Sequence, residues 1–214
     1  MYLPKSFEET RVDVLHDLIR AHPLGTLVTL SKDGLDANHI PFEIDSSPAP
    51  FGILRGHVAR ANSIWNDQSR NSDALAIFQG PHTYVSPSWY ATKMETGMVV
   101  PTWNYVVVHA HGELRAIEDL NWLRNLVDRL TTTHEADRQE PWKMSDAPSR
   151  YIDRQLAAIV GLELTITRLV GKWKISQNRS KHDRASVIRE LTKQGGESSV
   201  AMARLIDDAT EDAT

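Results

Sequence analysis

Apolar residues recur at helical spacing over residues 6–20. There Phe7, Val14, Leu15, Leu18 and Ile19 share one face behind a Ser6-Phe7-Glu8-Glu9 capping box, and His22-Pro23 ends the run. From residue 24 the period shortens to two. Residues 24–30 and 35–44 read as strands about a Lys32-Asp33-Gly34 turn, with Pro41 marking an edge or a bulge. A strand over 51–56, a short helix over 61–67 and strands over 74–78 and 82–85 follow, the last two divided by a Gly80-Pro81 turn. Residues 86–97 are irregular, with Trp89, Tyr90 and Met94 placed to close over something.

The second half alternates long strands with amphipathic helices. Residues 104–117 and 162–175 read as strands. Residues 118–133 read as a helix with Leu120, Leu123, Val127 and Leu130 inward, and 149–159 as another. Two final helices, 183–193 and 198–208, are separated by Gly195-Gly196. Six or more strands in mainly antiparallel order, flanked by helices, predict a mainly β fold of barrel type with helical additions. The βαβ alternation of a doubly wound sheet is absent.

Composition narrows the function classes. At 214 residues and 41% hydrophobic, the chain can bury a large core. Its net charge of −4 opposes nucleic acid over the molecule as a whole. There is no cysteine, which excludes disulfides, thiolate metal sites and thiol catalysis. Met1-Tyr2-Leu3-Pro4-Lys5 lacks the form of a secretion signal, and no run approaches the ~20 apolar residues of a membrane span, so a cytoplasmic protein with no membrane partner is expected.

Three dense segments carry the candidate chemistry. Gly56-His57-Val58-Ala59-Arg60-Ala61-Asn62 follows a strand and enters a short helix, where backbone N–H groups and Arg60 can meet one anion. The alternative is a surface cluster that solvates the strand end. Pro101-Thr102-Trp103-Asn104-Tyr105 offers an indole and an amide, with Trp103 alternatively in the core. In Lys172-Trp173-Lys174 the two cations share one face of a strand, and Ser176-Gln177-Asn178 adds hydrogen-bonding groups suited to a heterocycle edge or a subunit contact. Together they suit a planar, phosphorylated ligand. No dinucleotide or P-loop glycine motif, G-x-S-x-G or H-E-x-x-H occurs. His109 and His111 share a strand face without an acidic neighbour, which favours hydrogen bonding over a metal site.

These blocks, with Phe78-Gln79-Gly80-Pro81-His82 and Tyr84-Val85-Ser86-Pro87-Ser88-Trp89-Tyr90, resemble in collinear order the PaiB-type family of FMN-binding negative transcriptional regulators. The resemblance runs from residue 1 to about 205. It implies a split β-barrel of the pyridoxamine-phosphate-oxidase-like FMN-binding type, with C-terminal helices. Residues 1–178 would form the FMN-binding domain and 179–214 a helical extension packed on it. The chain would be a homodimer with flavin sites at the interface. Asn38, His39, Ile40 and Pro41 would lie along the isoalloxazine, and His57, Arg60, Ala61 and Asn62 would hold the phosphate. Thr102, Trp103 and Asn104 would approach from the partner chain, with Lys172 and Gln177 as further contributors.

Three roles follow as expectations. The first is a negative transcriptional regulator or flavin-dependent sensor, and the second an FMN-dependent oxidoreductase. The third is a haem-binding or haem-degrading protein, with His82, His109 or His111 as axial ligand. Direct DNA binding would rest on Lys181, Arg184, Arg189 and Lys193 beside the Gly195-Gly196 break. The acidic Asp207, Asp208, Glu211 and Asp212 that follow oppose it.

Overall fold

The computed structural model describes residues 1–32, 34–67 and 72–211; Asp33 of the predicted turn and Asp212 of the acidic run lie outside the described residues. Chain order is β1 (Glu8–Glu9), α1 (Val12–Ala21), β2 (Leu24–Ser31), β3 (Gly34–Pro41), β4 (Glu43–Asp45), β5 (Ile53–Ala59), α2 (Ile64–Asp67) and β6 (Ser72–Val85). Then come α3 (Lys93–Thr96), β7 (Thr102–Ile117), α4 (Leu120–Glu135), α5 (Ser149–Ala157), β8 (Ile159–Lys174), α6 (Lys181–Gln194) and α7 (Glu197–Glu211). Neighbouring strands run in the order β3-β2-β6-β7-β8-β5-β4, with β1 added to β8. The pairings β1–β8, β2–β3, β2–β6, β4–β5 and β5–β8 are all antiparallel.

Contacts divide the chain into two units. One comprises Met1–Leu18, Gln79–Val108 and the chain from Val170 on; the other comprises Ile19–Phe78 and His109–Leu169. The second unit buries Leu27, Leu54, Phe78, Leu114, Leu162 and Leu164, the inward halves of alternating strands. Against this sheet lie α4 and α5, whose Leu123, Ile152 and Leu156 form a cluster with Trp122, Val127, Met144 and Ile159. Asp119 caps α4 by accepting from the Trp122 N–H at 2.7 Å. A Cβ on Gly161 would stand 2.3 Å from Trp122 Cζ3, so only a glycine lets the indole lie on β8. In the first unit α6 and α7 bury Val187, Leu191, Met202 and Ile206. They are tied to the 79–108 segment by Asp183, which accepts from Thr92 N and Oγ1 at 3.0 Å, and by Ser198 Oγ, which donates to His82 O at 2.7 Å.

Three local expectations are corrected. The predicted helix over 6–20 starts only at Val12, because Glu8 and Glu9 pair with Lys172 and Gly171 of β8, and this pairing overrides the capping-box signal. No turn interrupts β6 at Gly80-Pro81. Its registered β2 partners end at Ile77, so the missing proline N–H costs no bond in that ladder. On α4, Leu120 is exposed and Leu126 is buried with Leu123. The edge position expected from Pro41 holds, since β3 is the last strand of the order.

Candidate functional site

The sequence-predicted residues fall into two groups, one in each unit. In the second unit β3 carries Asn38, His39, Ile40 and Pro41, and β5 with its following turn carries His57, Arg60, Ala61 and Asn62. Gly56 makes this juxtaposition possible: a Cβ there would lie 2.9 Å from Ile40 Cγ2 and 3.0 Å from Pro41 O. Asn62 Nδ2 donates to Asn38 Oδ1 at 2.7 Å and so joins the two segments directly. As the last strand, β3 has one edge without a strand partner among the described residues, where backbone N–H and C=O groups can serve a heterocycle. His39 and Pro41 are exposed and Ile40 is core.

Arg60 is held firmly at two of its nitrogens. Nε donates to Ala157 O at 3.0 Å, Nη2 to Ile159 O at 3.3 Å, and the guanidinium stands 5.5 Å from the Trp65 ring centre. Nη1 meets Glu118 Oε2 at 2.6 Å in a solvent-facing pair. The helix start expected to join the anion site is short. α2 is a single turn from Ile64 to Asp67, and Asn62 Oδ1 already accepts from the Ile64 N–H. Such a helix has little dipole to offer, and Ala61 lies in the turn before it. His57 faces an apolar cavity, its Nδ1 is buried with no hydrogen-bond partner, and burial lowers its pKa from the usual 6.5. Burial therefore favours its neutral form.

In the first unit β7 and the end of β8 bring the other group together. Trp103 is 52% exposed, with its ring 5.7 Å from His82 and 6.4 Å from Tyr84, so it is a surface platform rather than core. Asn104, 1% exposed, faces inward; its Nδ2 donates to Ser176 Oγ at 2.9 Å. Lys174 Nζ donates to Thr102 Oγ1 at 2.6 Å. Lys172 is only 8% exposed, donates to Tyr2 O at 3.1 Å and lies 5.3 Å from the Tyr105 ring and 5.8 Å from the Tyr2 ring. Among the described residues neither lysine has a carboxylate partner. Gln177 is turned back on its own strand, accepting from Ile175 N at 2.8 Å and donating to Trp173 O.

Two arrangements of residues within these segments escaped the sequence reading. Ser176 adopts φ of 65° while buried, a conformation that no residue pattern announces. Tyr2 and Tyr105 flank Lys172 from elements distant in sequence. Of the haem candidates, His109 and His111 face each other at 6.3 Å, and burial lowers the pKa of both, His109 to about 4. No group of three or more His, Cys, Asp or Glu able to hold a metal occurs among the described residues. No described helix is long and apolar enough to cross a membrane.

Residues 1–168 match the family described as "Putative FMN-binding domain". Protease synthase and sporulation protein PAI 2 of Bacillus subtilis is 30% identical over 208 residues, covering 97% of both chains. An uncharacterized protein of Emericella nidulans is 33% identical over 99% of this chain and 98% of its own. Among solved structures, the FAD and heme binding protein of Mycobacterium smegmatis aligns with a TM-score of 0.58 at 18% identity, over 78% of this chain and 73% of that one. The flavocytochrome Anf3 of Azotobacter vinelandii aligns at 0.53 and 15%, over 78% and 69%. With its edge strand, its cation-bearing strands and this match along most of its length, the chain belongs to the PaiB-type family of FMN-binding split-barrel proteins.

Proposed function

We propose that the chain is a homodimeric FMN-binding protein that works as a flavin-linked sensor, its regulatory output passing through a partner protein. The observation that carries the ligand reading is the pair Lys172 and Lys174, two cations on one strand face that form no ion pair among the described residues although Glu8 is the register partner of Lys172. A buried ammonium without an anion is costly, and a phosphate or an anionic flavin edge offsets that cost.

The remaining groups fit FMN. Arg60 is aimed by two carbonyls, and its one ion pair is exposed, worth ~0–1 kcal/mol, so a phosphate dianion can displace Glu118. The free edge of β3 matches the pyrimidine edge, and Trp103 offers a flat face to an isoalloxazine from a second copy. When bound, FMN supplies the redox chemistry. The role of this chain's residues is to hold and orient the ring. Direct DNA reading is disfavoured because Arg184, one of the four cations invoked for it, is buried.

The test is an FMN titration of the purified full chain followed by flavin fluorescence, with light scattering on the same sample. Saturable binding by a dimer is expected. No binding at tens of micromolar overturns the flavin reading. Sustained nicotinamide turnover by the loaded protein reassigns it to the oxidoreductases, and steeply salt-dependent DNA binding replaces the partner-mediated output with a direct one.

A further inference from the structure

The second unit carries an open apolar groove that borders two flavin candidates, His57 and Pro41. Two adjoining cavities, about 400 and 330 Å³, lie between β5, α4, α5 and the 136–148 connection, and both are lined by His57, Val127 and Trp142. Both open to solvent, with Trp142 and Tyr151 exposed on their walls, and their volumes fall in the range of ligand pockets, which begin at about 300 Å³. The shared walls continue into Leu130 on one side and into Met144, Tyr151 and Ile152 on the other.

The lining specifies the ligand. No lysine or arginine borders either cavity, whereas Glu135 does, so neither a phosphate nor a carboxylate is matched. Aromatic and aliphatic walls suit a flat, uncharged molecule. His57 supplies the polar group: its imidazole is half-buried, no carboxylate stands beside it, and Nδ1 lacks any hydrogen-bond partner. Buried polar atoms are rarely left so, and a ligand that parts the wall to donate an N–H or O–H to Nδ1 would satisfy it. Trp142 lines both cavities and is 42% exposed, its backbone N–H donating to Glu135 Oε2 at 3.1 Å.

We propose that this cavity is a binding site for a small, neutral, planar aromatic molecule, walled by Val127, Trp142 and Ile152 and oriented by His57, and separate from the flavin. Because His57 and Pro41 are also flavin candidates, the titration with FMN present decides whether the two ligands compete for this groove.

The probe is N-phenyl-1-naphthylamine, an uncharged aromatic amine that brightens in apolar surroundings, titrated into the full chain with and without FMN. One saturable site with a micromolar Kd is expected, and Val127→Trp or Thr131→Trp, which fill the space, should weaken it at least tenfold with FMN affinity unchanged. On the unmodified chain, methyl NMR should show the probe shifting Val127, Ile152 and Leu156 but not the exposed Leu24, Leu30 and Leu35. Absence of saturation, shifts confined to the exposed leucines, or displacement of the probe by FMN each overturns the proposal; the last would put the flavin ring in this cavity.

Discussion

Asn104 and Ser176 hold each other across the first unit, amide Nδ2 to hydroxyl Oγ at 2.9 Å, with both side chains buried and Ser176 at φ of 65°. The hydroxyl therefore offsets a backbone conformation that non-glycine residues adopt at a cost of ~1–3 kcal/mol. Ser176→Ala removes the hydroxyl, leaves the amide without that partner and keeps the strained backbone, so a loss of about 1–3 kcal/mol in urea unfolding is expected. Ser176→Gly relaxes the backbone while losing the same bond and should be the milder variant. If the glycine variant is the less stable of the two, the strain argument fails.

Arg60 and Glu118 form a pair that a phosphate should break. Arg60→Ala should weaken FMN binding roughly 10- to 150-fold, the loss of one charge-assisted hydrogen bond of ~1.5–3 kcal/mol. Glu118→Gln frees Nη1 and should leave FMN affinity equal or tighter. Isothermal titration of both variants decides it, and weaker binding by the glutamine variant would show that Glu118 supports the site.

Glu163 is 3% exposed and bound on both sides, Oε2 to Arg55 Nε at 2.9 Å and Oε1 to Arg115. Arg55 also reaches Asp45 at 2.8 Å, which extends the chain of charges to β4. Glu163→Ala strands a partly buried guanidinium and should cost about 3–5 kcal/mol. In a domain of this size that lowers Tm by roughly 6–20 °C, read by calorimetry. A loss below about 1 kcal/mol would reduce the network to surface pairing.

Acid should destabilise the fold through its buried histidines. Burial lowers the pKa of His109 from the usual 6.5 to about 4, and those of His57 and His111 in the same direction. Between these values the unfolded chain binds the protons that the folded chain refuses. The stability present above pH 6.5 is therefore lost progressively as pH falls towards about 4, and His109 adds no further loss below that. Asp45 and Asp183, whose pKa values are lowered by hydrogen bonds from the Ser47 N–H and Thr92 respectively despite burial, contribute only at still lower pH. His109→Gln should flatten the unfolding free energy between pH 6.5 and 4.5, and an unchanged slope would remove His109 from the account.

The long elements were legible because their periods are long. β7 and β8 each span 16 residues, long apolar runs that show even where burial does not alternate, and Gly195, at φ of 70°, ends α6 where the sequence placed a break. Local signals failed where a distant partner outcompeted them, as when β8 drew Glu8 and Glu9 into a strand. At the site, the shared neighbourhood of Asn38 and Arg60 was expected from the family resemblance, but the state of each donor was not. Nothing in the residue string shows that Gln177 turns back on its own backbone, or that Glu118 reaches Arg60. The cavity beside His57 was illegible for the same reason, since its walls come from α4, α5 and a polar connection with no apolar period.

The contact between Trp122 and the bare backbone of Gly161 gives the molecule an optical gauge of its own. An indole resting on a glycine is shielded on one face only while α4 stays docked. Emission from a chain keeping Trp122 as the sole one of its six tryptophans would shift red as soon as the helix lifts, ahead of any loss of strand signal. Departure of α4 from the sheet could then be timed separately from unfolding of the sheet itself.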